Sequence, residues 1–243
     1  IAQHGRRGAN MQTLRIDHPD IEKFIAIKTD DINMVKYSNI SVLLTHDFMD
    51  AVENDKEFDL KWEDTVYKTI NAKELWEKII AHAHSSAEPG LLFWDTMTDY
   101  HNAEYCSPLV STNPCAEQPL PDGGCCNLGA LNLERFVDNA GNFMIDEFKD
   151  TVGTATRFLD NVIDYNLDRH ALESQKQNAI NDRRVGLGIL GLGDMLVRMG
   201  IKYDSEDALQ TVDQVMQIFR DTAYETSVEL AKEKEAFPHF DWK

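Results

Sequence analysis

The chain has 243 residues, of which 42% are hydrophobic and 27% are charged, the composition of an ordinary globular protein with a hydrophobic core. Its formal net charge of -18 at pH 7 argues against nucleic acid as a partner, because binding to the phosphate backbone needs a clustered basic surface. The sequence contains neither a run of about 18 apolar residues nor a signal peptide, so no membrane partner is predicted. Four unevenly spaced cysteines do not resemble a secreted disulfide scaffold, and we therefore predict a cytoplasmic protein.

The first stretch with a chemical pattern is a loop at residues 2–10, in which two glycines flank paired arginines. Glycine lets the backbone bend closely around a ligand, and guanidinium groups present forked donors, so a nucleotide would suit this loop. An exposed basic turn explains the same residues equally well. The first residue is Ile1 rather than Met, from which we expect a fragment or a processed piece.

The first half of the chain is predicted to alternate short strands with helices. Asp17, Thr45 and Asn71 are the predicted N-terminal caps of three helices. Residues 34–44 and 91–94 are predicted strands. The predicted inward-facing side chains of the three helices are Ile21, Phe24, Ile25, Phe48, Met49, Val52, Leu75, Trp76, Ile79, Ile80 and Ala83.

The richest chemical pattern lies in residues 111–129, which hold three of the four cysteines. Prolines exclude a helix or a central strand there, and a polar, sulfur-bearing loop is a typical place for catalysis. In an extended loop alternate residues project to the same side, so Asn113, Cys115 and Glu117 would line one face of a pocket. Their side chains offer an amide for a substrate hydroxyl, a sulfur for covalent or radical chemistry, and a carboxylate for proton transfer.

The residues alone leave other interpretations of the cysteines open. Cys125 and Cys126 are adjacent, and a thiol of this pair could supply electrons by forming a disulfide with a partner. A zinc site is disfavoured because the four cysteines lack paired C-x-x-C spacing, so no metal is predicted. A cysteine hydrolase would need a histidine base, and no motif ties His101, the nearest one, to Cys115. The cysteines could also be inert core residues.

The second half of the chain is predicted to be mostly helical. Residues 130–136 are a strand or the start of a helix, and residues 138–142 are a turn. One long helix is predicted from about 146 to 169, and a second runs from a cap at Ser205 to about Lys234. Strands interleaved with helices predict the α/β class with a high helical share. The predicted inward-facing side chains of the two long helices are Phe148, Val152, Ala155, Phe158, Leu159, Val162, Ile163, Leu209, Val212, Val215, Met216, Phe219, Ala223 and Leu230.

Two motif matches are rejected on their context. Residues 39–41 spell a glycosylation sequon, which we treat as chance in a cytosolic strand. Residues 186–191 spell a dinucleotide-binding fingerprint, and an acidic residue, Glu206, follows at the expected distance. That fingerprint must follow a buried strand, whereas residues 179–184 are polar. We therefore predict a glycine-rich helix start that packs tightly against a neighbour.

Three blocks of sequence resemble the catalytic chains of ribonucleotide reductases, and they occur in the family's order. The resemblance to the active-site loop lies in STNPCAEQPLPDGGCCNLGALNL at residues 111–133, which is most similar to the adenosylcobalamin-dependent (class II) group. The stretch that begins at the substrate-specificity loop is matched by GRRGANMQTLRIDHPDIEKFIAIK at residues 5–28. A third family block is matched by NDRRVGLGILGLGDMLVRMGIKY at residues 181–203.

The resemblance implies a task for each polar residue of the loop. Cys115 matches the cysteine whose thiyl radical takes the 3′ hydrogen from the ribose. Glu117 matches the base for the 3′ hydroxyl, and Asn113 matches the residue that hydrogen-bonds the substrate. A carbon radical loses a neighbouring hydroxyl more readily when one oxygen is deprotonated and the leaving oxygen is protonated, which explains the need for such groups.

The resemblance also implies the reducing and regulatory residues. Cys126, directly before Asn-Leu-Gly, matches one half of the dithiol that reduces the 2′ position, and its neighbour Cys125 ranks second. Gln3 and Arg7 match the loop that communicates between a bound effector nucleotide and the substrate base. The family's other dithiol cysteine has no counterpart among these residues.

The implied fold is part of the ten-stranded α/β barrel of ribonucleotide reductases, helix-rich, with residues 1–243 as its central part and the catalytic cysteine loop inside. The implied cofactors are adenosylcobalamin and a dithiol reductant. The implied partners are a ribonucleotide substrate, deoxynucleotide or ATP effectors, a thioredoxin-like reductant, a second copy of the chain, and complementary fragments of the same enzyme.

Three alternatives remain open from the sequence. The chain could be a class I large chain whose radical arises in a separate metal-containing subunit, although the spelling Asn-Pro-Cys at residues 113–115 favours class II. It could be a fragment that is inactive without complementary pieces. It could also be a thiol–disulfide or zinc-binding protein, which would show redox cycling without nucleotide or contain metal.

Overall fold

The computed structural model describes residues 2–3, 6–30 and 34–240, with side chains for residues 8–30 and 34–240. The chain divides into two compact units, Ile1–Asp122 and Gly123–Lys243. Each unit has its own hydrophobic core. Within the described ranges, none of the helices has both the length and the apolar character that a membrane crossing requires.

The first unit alternates strands with helices, as predicted. In chain order its elements are β1 (Ala2–Gln3), β2 (Arg6–Arg7), β3 (Asn10–Arg15), α1 (Ile21–Asp30), β4 (Ser38–Leu44), α2 (His46–Glu53), β5 (Glu57–Trp62), β6 (Thr65–Asn71), α3 (Ala72–Ser86), β7 (Gly90–Phe93), α4 (Trp94–Asp99), β8 (Leu109–Thr112) and β9 (Pro119–Pro121).

A three-stranded parallel sheet in the order β3–β4–β7 forms the centre of this unit. Its middle strand is a run of buried residues broken only by Asn39, which is exposed. Such a nearly continuous run is typical of parallel strands that are covered on both faces. Helices α1, α2 and α3 supply the rest of this core, whose largest fully buried side chains include Phe48, Ile21, Leu75 and Ile79.

The helix caps of the first unit follow the sequence closely. The hydroxyl of Thr45 accepts a hydrogen bond from the Phe48 amide at 3.2 Å, and the Asn71 side chain accepts one from the Glu74 amide at 3.0 Å. Two of the three predicted caps are therefore confirmed. The carboxylate of Asp17 instead accepts two hydrogen bonds from the guanidinium of Arg15, each 3.0 Å long.

Three details of the first unit differ from the predictions. The strand predicted from residue 34 begins at Ser38, because residues 34–37 form a turn in which Val35 has a φ of 45°. Trp94 opens helix α4 rather than ending a strand. Ile80 is 50% exposed, since it lies one residue past Ile79 and therefore turns away from the buried stripe of α3.

The second unit is mostly helical, as predicted. In chain order its elements are β10 (Leu128–Asn132), a short 3₁₀-helix (Leu133–Phe136), α5 (Ile145–Asn166), a second short 3₁₀-helix (Leu167–Arg169), α6 (Glu173–Asp182), β11 (Gly186–Leu190), α7 (Leu192–Met199) and α8 (Glu206–Lys234).

Helices α5, α7 and α8 and the short 3₁₀-helix after β10 supply the core of this unit. Phe148 is fully buried there and packs edge-on against Phe136 and Phe143, with Phe219 stacked at 6.1 Å between ring centroids. Such aromatic clusters bury large apolar areas and fix how helices pack together.

Most boundaries in the second unit match the sequence. The predicted cap at Ser205 is confirmed, because its hydroxyl accepts a hydrogen bond from the Ala208 amide at 3.2 Å. Residues 130–136 contain both a strand end and a 3₁₀-helix, so both alternatives hold in part. The inward placement of Phe158 and Leu209 is wrong, because these side chains are 64% and 62% exposed.

The glycine-rich segment is a strand rather than a helix start, so that prediction is wrong. Strand β11 pairs in parallel with β10, with Gly186 opposite Leu128. Helix α7 begins only after Gly191, whose φ is +73°. A Cβ at Gly191 would lie 2.1 Å from the side-chain oxygen of Asn132, so both conformation and space require glycine there. The segment before it is helix α6, not the buried strand that a dinucleotide fingerprint needs.

The α/β class is confirmed. Among the described residues the strands form five small sheets, and no closed barrel is seen. A closed barrel requires every strand to pair along both edges. Within the same residues only β4 does so, because it lies between β3 and β7. The ten-stranded barrel and the internal placement of the cysteine loop are therefore not shown here.

Candidate active site

The segment that carries Cys115 is a tight hairpin turn. Strands β8 and β9 pair antiparallel on either side of it, with Thr112 opposite Pro119. The backbone amide of Asn113 donates to the Gln118 carbonyl at 3.1 Å, and the Gln118 amide donates back to the side-chain oxygen of Asn113 at 3.0 Å. The Asn113 side chain thus closes the turn in the way that asparagine commonly closes turns.

The turn changes the predicted arrangement of the three polar residues. In an extended loop Asn113, Cys115 and Glu117 would alternate onto one face, but the chain folds back through Ala116, whose φ is +69°. The predicted extended backbone is therefore not observed, and alternation, which holds only for extended backbone, no longer supports the placement of the three side chains on one face. The structure still brings the three residues together within one six-residue turn, with Cys115 and Glu117 both exposed.

The turn is fixed to the rest of the first unit by a few specific contacts. The methyl group of Ala116 packs against the small core cluster formed by Leu43, Leu92, Trp94 and Leu109. The side-chain amide of Asn39 donates to the Pro114 carbonyl at 2.5 Å. At the base of the hairpin the hydroxyls of Thr13 and Ser111 are 3.3 Å apart. These contacts place Cys115 relative to the parallel sheet while leaving its side chain accessible.

Cys125 and Cys126 belong to the second unit, where the residue that follows them is anchored. The side-chain amide of Asn127 donates to the Leu159 carbonyl at 2.8 Å, and the Asn127 carbonyl accepts from the Gly186 amide at 2.8 Å. The segment is therefore tied to α5 and to the start of β11. Cys126 is exposed and Cys125 is half-buried.

A cluster of charges stabilises the neighbouring part of the second unit. The buried carboxylate of Asp160 binds Arg183 at 2.8 Å and Lys234 at 2.6 Å, and Asp164 binds the same two cations. Burial disfavours the charge on Arg183, but its hydrogen bonds to Asp164 and Asp160 outweigh this and raise its pKa. Burial lowers the pKa of the adjacent Arg184, although attraction to Asp182 opposes the shift. The paired arginines therefore have different environments.

The environment of Cys125 leads to a prediction about its reactivity. Burial raises the pKa of the Cys125 thiol above its ordinary value of 9.0. Because the thiolate is the reactive form, alkylation of Cys125 by iodoacetamide should become about tenfold faster per pH unit from pH 7 to pH 9, without levelling off. Peptide mapping by mass spectrometry measures this rate, with glutathione as the reference thiol. A plateau below pH 8.5 would show that burial does not control this thiol.

The structure leaves two predicted residues without a described side chain. Gln3 and Arg7 lie in the paired strands β1 and β2, opposite Arg6 and Ala2 respectively, and their side chains fall outside the described residues. Over the described part of the chain, no group of three or more histidine, cysteine or acidic side chains is arranged to hold a metal ion.

Sequence reasoning missed two residues that shape the candidate site. In the sequence, Asn39 stands out only as part of a chance sequon, and Asn127 only as one residue of the family motif. Their partners are 75 and 32 positions away along the chain. The predicted strand 34–44 also contains Lys36, Ser38 and Ser41, so no feature of the sequence distinguishes Asn39 from its polar neighbours.

Comparison with known proteins identifies the family. The family described as "Ribonucleotide reductase, barrel domain" matches residues 1–243. The chain is 41% identical over 241 residues to the "Vitamin B12-dependent ribonucleoside-diphosphate reductase" of Thermoplasma acidophilum, covering 98% of this chain and 31% of the relative. It is 36% identical over 237 residues to a protein of the same name from Mycobacterium tuberculosis, covering 97% of this chain and 34% of the relative.

A third relative is the "Vitamin B12-dependent ribonucleotide reductase" of Agrobacterium fabrum, which is 32% identical over 243 residues and is covered to 18% of its length. The chain belongs to the ribonucleotide reductase barrel-domain family. It spans about a third of the length of the first two of these relatives.

Proposed function

We propose that the protein reduces ribonucleotides to 2′-deoxyribonucleotides by a thiyl-radical mechanism that depends on adenosylcobalamin. The observation that carries this proposal is the family match over residues 1–243, within which Cys115 and Glu117 are exposed on one turn. The names of the relatives favour the cobalamin-dependent class over class I, whose radical arises in a separate subunit.

In this proposal Cys115 is the residue that takes the 3′ hydrogen atom from the ribose. Sulfur suits this step because its S–H bond is weak enough for the hydrogen atom to be returned at the end of the cycle. The hairpin supports the assignment, since backbone and Asn113 hydrogen bonds hold the turn while the thiol projects outward. A reacting group needs such a fixed backbone because small displacements are costly in rate.

Glu117 is the proposed base for the 3′ hydroxyl, two residues beyond the thiol on the same turn. Its exposed carboxylate can accept a proton from a hydroxyl that lies within hydrogen-bond distance. Asn113 is the proposed substrate-binding residue, and its side chain has two functions. Its oxygen accepts the Gln118 amide, and its amide nitrogen can donate to a substrate hydroxyl.

Cys126 is the proposed donor of reducing equivalents. In the balanced reaction two thiols lose two electrons and two protons and form a disulfide. One proton leaves with the 2′ hydroxyl as water, and the other proton and the two electrons form the new C–H bond at the 2′ carbon. The family's other dithiol cysteine has no counterpart among these residues, and Cys125 is poorly placed to replace it. Neighbouring Cα atoms are about 3.8 Å apart across a trans peptide, closer than the roughly 4.4–6.8 Å that disulfides normally span. A thioredoxin-like dithiol reductant would then restore the thiol pair.

Adenosylcobalamin, when bound, supplies a carbon-centred radical that can accept a hydrogen atom from a thiol. The chemistry of Cys115 fits this requirement, because its sulfur is exposed on a turn whose backbone bonds do not involve the thiol. Exposure in this chain also means that some other surface must shield the radical from water during catalysis. Cys115 is the one residue of this chain to which we assign a role in the reaction with the cofactor.

The remaining parts of the proposal come from the family. We propose that the strands contribute to a closed ten-stranded barrel, with residues 1–243 as its central part. We also propose that effector nucleotides act through Gln3 and Arg7, that the enzyme is cytoplasmic, and that it works as a homodimer. Sequence similarity along the whole chain supports these features.

Omitting the cofactor tests the proposed reaction. The full-length protein is incubated with ribonucleoside di- and triphosphates and a dithiol reductant, with and without adenosylcobalamin, and deoxyribonucleotides are measured by chromatography. We expect product only when the cofactor is present, with background levels otherwise. If product forms only after a metal-containing partner subunit is added, the protein belongs to class I. If no product forms with the cofactor or with the partner subunit, the proposed function is overturned.

A further inference from the structure

We infer that Asn39 is a positioning residue for Cys115, and that it acts through the carbonyl group of Pro114. This inference rests on the proposed role of Cys115 as the hydrogen-abstracting thiol. Asn39 lies on strand β4, 76 positions before Cys115, and its side-chain amide donates to the Pro114 carbonyl at 2.5 Å. The residue therefore belongs to a different element from the turn that it holds.

The hydrogen bond acts on the peptide group that carries the backbone nitrogen of Cys115. A peptide group is planar, so fixing its oxygen also fixes the direction of the bond from that nitrogen to the Cα of Cys115. Pro114 adds stiffness on the other side of this group, because its ring fixes φ. Asn39 therefore sets the orientation of the Cys115 side chain together with the packing of Ala116 against the core.

Bonds within the turn cannot do this alone. The two hydrogen bonds between Asn113 and Gln118 close the turn, and the bond from the Ala116 amide to the Asn113 carbonyl supports it. All of them would be preserved if the turn tilted as a whole about the base of its hairpin. The bond from Asn39 joins the turn to the parallel sheet, so it opposes such a tilt.

Asn39 is itself held on both sides by one ion pair. Lys28 and Glu88 form a salt bridge whose side chains are only 13% and 22% exposed. Lys28 also donates to the carbonyl of Ser38, and Glu88 accepts a hydrogen bond from the Ile40 amide at 3.0 Å. The peptide groups before and after Asn39 are thus both clamped. A side chain presented from such a rigid strand is well suited to positioning a reactive group.

Substitution by aspartate distinguishes a hydrogen-bonding role of Asn39 from a role in packing alone. Aspartate has the shape of asparagine but lacks the donor, and its carboxylate would face the Pro114 carbonyl with two acceptors. If Asn39 acts by its hydrogen bond, Asn39→Asp should be at least as damaging as Asn39→Ala. If it acts only by filling space, Asn39→Asp should behave as the unchanged protein does.

The test uses the full-length protein with three variants. Asn39→Ala and Asn39→Asp are compared with Asn54→Ala, a control in the same unit whose side-chain amide donates to the Asp50 carbonyl at 2.9 Å, away from the Cys115 turn. We expect kcat for ribonucleotide reduction to fall roughly 10- to 100-fold in both Asn39 variants, with KM changed by less than about twofold. Asn54→Ala should keep kcat within about twofold.

Hydrogen–deuterium exchange provides a second measurement that does not depend on turnover. The amides of residues 113–118 should exchange faster in both Asn39 variants and at the normal rate in Asn54→Ala, while the core strands remain protected in all three. If the wild-type protein is inactive, the proposed function is contradicted. If the wild-type protein is active but the Asn39 variants match Asn54→Ala in kcat or in the exchange rates of the turn, this inference alone is overturned. Should Asn39→Ala fail to fold, the isosteric aspartate variant decides.

Discussion

Replacing Cys115 with serine should reduce the rate of ribonucleotide reduction by roughly 10⁴-fold or more while leaving nucleotide affinity within about twofold. The hydroxyl O–H bond is too strong for the reversible hydrogen-atom transfer that the proposed mechanism needs. The substitution should not disturb the turn, because the bonds that hold it run through Asn113, Gln118 and the Pro114 carbonyl. Serine is also slightly smaller than cysteine, and the position is exposed.

Cys106→Ser is the matched control for this experiment. Cys106 lies in the same unit but outside the turn, where its half-buried thiol donates to the Ala103 carbonyl at 3.5 Å. A serine hydroxyl can make the same bond, so the activity of this variant should stay within about twofold of the unchanged protein. Product formation is measured by chromatography and nucleotide binding by calorimetry. Equal turnover by the two variants would remove Cys115 from the mechanism.

Features that depend on neighbouring residues were predictable from the sequence. Each of Thr45, Asn71 and Ser205 caps a helix by accepting an amide from three residues further along, so the whole interaction lies within four residues. The turn at 138–142 is equally local, because the Asp138 side chain accepts the Asn142 amide at 2.8 Å. Polar residues at such positions indicate a cap or a turn whatever the rest of the chain does.

Features that depend on distant partners were not predictable. Strand β11 is rich in glycine and has little intrinsic preference for a strand, yet it pairs along its whole length with β10. Periodicity could not decide which helical residues find a partner, so exposed Phe158 and buried Phe148 were given the same inward placement. The helix partners that separate the two are contributed by remote parts of the chain.

The candidate site shows the same division. The residue types in the 113–117 segment predict its chemistry, and the family resemblance implies a task for each of them. The shape of the segment depends on a side-chain bond from Asn113 to the Gln118 amide and on a contact with strand β4. Neither is visible in a pattern of alternating residues, which is why an extended loop was expected and a hairpin turn was found.

Replacing Cys126 with serine should abolish reduction to the same degree as Cys115→Ser, whereas Cys125→Ser should keep more than about half of the activity. The two cysteines are adjacent, but their environments differ. Cys126 is exposed, whereas Cys125 is half-buried, and burial raises its pKa. A buried thiol of raised pKa gives less thiolate for exchange with a reductant, so Cys125 is poorly suited to repeated oxidation and reduction.

A single-turnover experiment separates these two cysteines most sharply. The enzyme is first reduced, excess dithiol is removed, and ribonucleotide is added with adenosylcobalamin. In the unchanged protein and in Cys125→Ser, product should then be limited by the reducing equivalents held on the enzyme, because each turnover converts one thiol pair to a disulfide. Cys126→Ser should give no product. Loss of product in Cys125→Ser but not in Cys126→Ser would transfer the reducing role to Cys125.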